Sequence, residues 1–129
     1  MLVSCTLAHG GENIPFVMPG LTSVPLATAP ISPEKMISRV EIQEITFESM
    51  RKAALHLHPI PVLSFIEEGG IAFQIEGQAV QHLEAGAALY EPANVRIARL
   101  DNEGKTPARL IAFFMLGTDD HELVQRLSR

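Results

Sequence analysis

His56 and His58 stand one residue apart in the run AALHLHPIPV. A strand rises about 3.3 Å per residue and sends alternate side chains to opposite faces, so the two imidazoles project side by side from one face. Each neutral imidazole offers one lone-pair nitrogen, and two on one face give good chelate geometry for a divalent ion. Such an ion takes roughly four to six ligands, which leaves the rest of the shell to other donors or to water. Read without a metal, the same pair are interior side chains held by their neighbours or by water, or contacts for a small ligand. The other histidines carry less. His82 precedes the EAG turn and His121 lies in the C-terminal tail, and both read as surface residues. His9 and Cys5 sit in the N-terminal arm, apart from any catalytic pattern. No Gly-rich phosphate loop follows a strand, and there is no Gly-x-Ser-x-Gly elbow.

The elements that must position this pair read as strands. RVEIQEITF alternates, but its apolar phase slips between Ile42 and Ile45, which predicts a β-bulge. In AALHLH, Leu55 and Leu57 alternate with the histidines, so the leucines are expected outside the sheet and the imidazoles inside. VLSFIEEGG, IAFQIEG, QAVQHLEAG, AALYEPAN and VRIARLDNEG follow, each closed by turn residues. ARLIAFFML is apolar on both faces and reads as a central strand buried on two sides. Close, regular strand spacing means a sandwich or barrel over residues 36–117. Upstream, residues 1–35 carry too many Pro and Gly for a helix and form an arm, with PFVM and SVPLAT as candidate edge strands. Downstream, residues 118–129 change character. Thr118, Asp119 or Asp120 would cap a short helix over 119–128, docked through Leu123 and Leu127, with Arg126 and Arg129 near its C-terminal end.

A length of 129 residues, 47 % of them hydrophobic and 19 % charged, fits one soluble domain with one core. The net charge is −5 and no Lys/Arg cluster occurs, which argues against nucleic acid as a partner. No apolar run approaches the ~20 residues that span a bilayer, so no membrane partner is expected. The start MLVSC resembles a lipoprotein cleavage box only superficially, lacking a basic region and an apolar stretch before it. A single cysteine forms no internal disulfide, and a reducing cytoplasm is the expected compartment.

From His56 to Gly117 the chain resembles the cupin superfamily. The first cupin motif runs Gly, five residues, His-x-His, three or four residues, Glu, six residues, Gly. HLHPIPVLSFIEEG matches it at His56, His58 and Gly69. The second runs Gly, five residues, Pro-x-Gly, two residues, His, three residues, Asn, and Gly86 and Pro92 match it. The resemblance implies an all-β double-stranded β-helix, or jelly-roll barrel. It also implies a metal held by three His and one Glu, and here the chain departs from the pattern. Val62 stands at the Glu position and Ile97 at the third His position. Asn94 replaces the turn Gly, Asp101 the closing Asn (with Asn102 beside it), and Met50 the leading Gly. Gln74, Tyr90 and Glu91 would restore the lost donors if they faced inward, but solvated or turn roles are expected for them.

Three functional readings follow. The leading one is a barrel pocket lined by His56, His58, Val62 and Ile97 that binds a small, partly apolar molecule without a tightly held metal. The alternative is a metal-dependent enzyme of the dioxygenase, isomerase or decarboxylase kind, with a divalent metal on His56 and His58. The third uses a barrel histidine as general base and requires a carboxylate to orient it. Small cupins of this type are commonly dimers that exchange N-terminal strands, so the resemblance implies a homodimer in which the arm packs on the barrel edge or on the partner.

Overall fold

The computed structural model describes residues 18–128. Nine strands follow in order: β1 (Arg39–Phe47), β2 (His56–Leu57), β3 (Val62–Glu68), β4 (Gly70–Ile75), β5 (Gln81–Glu84), β6 (Ala88–Glu91), β7 (Ile97–Asp101), β8 (Ala108–Leu116) and β9 (Gln125–Arg126). They form two sheets, one ordered β1-β8-β3-β6 and the other β5-β4-β7-β2-β9. All the paired strands are antiparallel. ARLIAFFML becomes β8, between β1 and β3, with its even-numbered residues buried and its odd-numbered ones half-buried.

The core lies between the sheets. Phe47, Ile66, Leu89 and Leu110 come from one sheet, Ile71, Phe73, Ile97 and Leu100 from the other, and they pack as one apolar cluster. Gly69 ends β3 at a φ of 78°. A Cβ there would lie 2.9 Å from the Cα of Ala108, so the β3–β4 corner accepts no side chain.

Three expectations meet corrections. The bulge between Ile42 and Ile45 is absent, because β1 pairs with β8 in unbroken register from Arg39 to Phe47. The slipped phase has another cause. Val40 and Ile42 point outward and are 51 % and 60 % exposed, while Ile45 and Phe47 point inward. Apolar residues on both faces imitate an inserted residue.

The C-terminal helix is also absent, and no helix occurs among the described residues. Asp120, expected in the first helical turn, reaches back to the Gly117 N–H at 2.7 Å and pairs with Lys35. Further on, the chain spends its backbone groups on β2: Leu127 N–H donates to the Leu55 carbonyl, and the Leu123 carbonyl accepts from His58. Tertiary hydrogen bonds thus override a modest helical propensity. In the arm, SVPLAT forms none of the named strands, and most of its residues are exposed. PFVM up to Val17, along with His9 and Cys5, lies outside the described residues.

Candidate metal centre

The short strand β2 is fixed from three sides. His56 pairs with Ile97 of β7 and with Arg126 of β9. The His58 carbonyl accepts from the Asn94 N–H at 2.7 Å, with Asn94 in the left-handed region at a φ of 61°. The side chain of Asn tolerates that conformation better than most, which explains why the turn survives without the motif Gly. In the opposite sheet Val62 of β3 pairs with Glu91 of β6. Leu89 faces the core, and the two-residue period carries Glu91 to the same inner face.

His56, His58 and Glu91 meet there, only 6 %, 8 % and 2 % exposed. Nε2 of His58 is 2.9 Å from Oε2 of Glu91, and Nε2 of His56 is 3.2 Å from the same oxygen. The two rings stand edge to face with centroids 5.1 Å apart. Each Nδ1 is occupied elsewhere: His56 donates to the Ala54 carbonyl at 2.7 Å and His58 to the Leu123 carbonyl at 2.6 Å. A carbonyl only accepts, so both Nδ1 atoms carry hydrogen and both Nε2 atoms are left for the centre.

Burial pushes the His56 imidazole down. The hydrogen bond to Glu91, the Ala54 carbonyl and the Glu91 charge outweigh that, and the net shift is upward from 6.5. For Glu91, burial pushes upward, and the bonds and charges of both imidazoles reverse it to a net downward shift from 4.5. The centre therefore favours a carboxylate with a shared proton on the imidazole side.

A cavity of about 540 Å³ opens over the three side chains. Its walls are mostly apolar, with Ile45, Val62, Leu100, Leu110 and Phe114 prominent. On β3 and β8 the pair Ile66–Leu110 fills the core, and the next inward pair, Ser64–Ala112, is small and leaves space. Gln43 of β1, opposite Ala112, adds a polar group to the wall.

No family model matches the chain. No curated protein matches it either. Solved structures do. An uncharacterized conserved protein with a double-stranded β-helix domain from Klebsiella pneumoniae superposes with a TM-score of 0.58 at 16 % identity, over 78 % of this chain and 90 % of that one. An RmlC-like cupin from Shewanella frigidimarina gives 0.52 at 22 % identity, over 63 % and 69 %. This chain has the cupin fold. The DMSP lyase DddQ from Ruegeria pomeroyi is also similar, with a TM-score of 0.56 at 15 % identity over 65 % of this chain. The present chain spans 42 % of that lyase, less than half its length.

In this cupin fold the two motif histidines turn inward, and Leu55 is buried on the other side of β2. Val62 lines the cavity beside them, whereas Ile97, directly across from His56, is packed into the apolar cluster and does not line it. Gln74 bonds the Gln78 carbonyl away from the cavity, and Tyr90 is buried on β6 outside the cavity lining. His82 and His121 are exposed. Glu91 corrects the expectation of a solvated or turn role. The carboxylate missing at Val62 is supplied by the residue directly opposite on the next strand. The alternation of ALYEP, with Leu89 inward, held that signal, but the pairing of Glu91 with Val62 needs the register between two strands.

Proposed function

We propose that this cupin holds a first-row divalent metal on Nε2 of His56, Nε2 of His58 and Oε2 of Glu91, and binds a small, partly apolar molecule beside it. The observation that carries this reading is the convergence of three buried donors while both Nδ1 atoms are tied to backbone carbonyls. Metal-binding histidines are oriented in that way. At metal–ligand distances of about 2.1 Å, neighbouring donors lie about 3.0–3.4 Å apart, and the His–Glu spacings are of that size. Two imidazoles and one carboxylate leave coordination positions open, as in mononuclear sites that act on small molecules. When bound, the metal would supply Lewis acidity to an oxygen of the ligand. The pocket volume lies in the range of small-molecule sites.

The test is metal content after chelator treatment and reloading with Ni²⁺, Zn²⁺, Co²⁺ or anaerobic Fe²⁺. About one ion per chain is expected. His58→Ala and Glu91→Gln should each abolish stoichiometric loading. A wild-type protein that folds and takes up none of these ions contradicts the reading.

One observation favours a second reading. Among the described residues no buried side-chain polar atom is left without a partner, so the His–Glu–His group is complete as a proton-sharing unit without a metal. Such a unit supports the metal-free pocket, with Glu91 as the carboxylate a histidine base needs. Absence of metal uptake, together with retained ligand binding, selects it.

A homodimer is part of the proposal. Strand β1 is an edge strand and carries Val40 and Ile42 exposed, with Met36 just upstream also exposed. A second copy related by a two-fold axis would cover the same edge on both chains. Light scattering should give twice the chain mass, and Val40→Glu with Ile42→Glu should reduce it to one. A wild-type monomer counts against the dimer.

A further inference from the structure

The positive charges of this acidic chain are not spread evenly. Lys35 pairs with Asp120, Arg96 with Glu76, Arg99 with Asp101 and Glu103, and Arg109 with Glu67 and Glu68. Arg39 bonds the carbonyls of Gly117 and Asp120. Arg51, Lys52, Lys105 and Arg126 have no side-chain partner among the described residues. Three of those four, Arg51, Lys52 and Arg126, line the cavity above the His–Glu–His group. All three are exposed, so they form its solvent-facing rim. Among the described residues the only acid lining the same cavity is Glu91, already occupied by both imidazoles. Arg51 and Lys52 come from the connection between β1 and β2, and Arg126 from β9 at the far end of the chain. The fold thus gathers unpaired cations from two distant stretches of a chain whose net charge is −5.

We infer that the pocket is built for a small organic anion with an apolar body. The anionic group sits among Arg51, Lys52 and Arg126, and the body lies along the apolar walls toward His56 and His58. An anion there gains charge-assisted hydrogen bonds from groups that make no ion pair among the described residues. Arginine forks suit a planar carboxylate, while the lysine adds a point charge. The inference rests on the cavity being a ligand site, and it does not depend on metal.

The test compares 4-phenylbutyrate with its neutral amide, 4-phenylbutyramide, by calorimetry on chelator-treated full-length protein at low salt. The two probes share an apolar body and differ in charge. The acid should bind roughly tenfold more tightly, since each partly exposed charge contact contributes a few-fold. The preference should shrink as salt is added. The triple variant Arg51→Gln, Lys52→Gln, Arg126→Gln should bind acid and amide equally, while Lys105→Gln, away from the cavity, should keep the wild-type preference. Matching melting temperatures establish that the variants fold. Equal affinity of acid and amide for the wild type, no binding of either, or a preference that survives the triple variant overturns the inference. Because the metal is removed at the outset, failure of metal loading leaves these outcomes unchanged, and the two readings fail separately.

Discussion

The two ends of the barrel interior are built from the same strands and do opposite things. On β6, Leu89 belongs to the apolar cluster, and Glu91, two residues on, belongs to the polar centre. On β3 and β8, Ile66 and Leu110 fill one level, while Ser64 and Ala112 leave the next one open. Between the sheets, Ile97 packs in the core and its cross-strand partner His56 faces the cavity. A one-level change in side-chain size and polarity, on an unbroken backbone ladder, separates a region that stabilises the fold from one that can bind. The closed end gains from burial of apolar surface. The open end places a charge where burial opposes it, and holds it through the hydrogen bonds and charges of the two imidazoles.

The largest expected effect lies at the closed end. Ile66→Ala should lower unfolding free energy by about 2–5 kcal/mol, because a fully buried side chain is replaced by a cavity. Denaturant titration measures the loss, and the fraction of folded protein that binds metal should not change. A comparable loss of metal uptake in folded protein would mean that the two ends are not separable.

At the open end, Glu91→Gln keeps the side-chain shape and removes the charge. The metal-free variant should lose roughly 1.5–3 kcal/mol, the usual contribution of hydrogen bonds to a charged group. Metal uptake should vanish, although the fold persists. Retained metal affinity in this variant would remove Glu91 from the centre.

These two substitutions also mark what the sequence makes legible. His56 and His58 are readable because their spacing acts within one strand. Gly69 is readable because its backbone geometry is local, and its φ of 78° agrees with its motif position. Glu91 is harder, because its role depends on lying opposite Val62, and a strand-to-strand register is set by the whole sheet. The tail is harder for the same reason. Leu123 and Leu127 suit a helix, but the carbonyl of one and the N–H of the other are taken by His58 and Leu55, residues more than sixty positions upstream. Nothing local to residues 118–128 announces those partners.

The pH response of metal-free protein sharpens the contrast further. Glu91 is depressed below 4.5 in the fold, so its contribution is present above about that pH and disappears as pH falls through the lowered value. His56 is raised above 6.5, so its contribution is full below about that pH and disappears as pH rises through the raised value. Thermal stability with chelator present should therefore be greatest between these limits, in mild acid. Glu91→Gln should flatten the profile, whereas Ile66→Ala should shift it downward without changing its shape. An unchanged profile in Glu91→Gln would show that the pair does not govern the response.

The smallest effect belongs to the turn that leads from β1 to the cavity rim at Arg51. Met50, at the position where the cupin motif carries Gly, has a φ of 61° and an exposed side chain. Met50→Gly relieves a left-handed conformation at some cost in unfolded-chain entropy, and should stabilise the protein by about 0.5–1 kcal/mol. Thermal melting in mild acid detects it, and metal content should stay the same. A destabilised variant would show that the Met50 side chain contributes packing that its exposure conceals.

The most direct measurement is anomalous diffraction from crystals of the chelator-treated protein reloaded with Ni²⁺ or Zn²⁺, collected on both sides of the absorption edge. The account predicts one full-strength peak inside the barrel, about 2.0–2.2 Å from Nε2 of His56, Nε2 of His58 and an oxygen of Glu91. Diffraction showing no peak at that point, or metal only at exposed groups such as His82 and Glu103, which lie 3.6 Å apart, would contradict it.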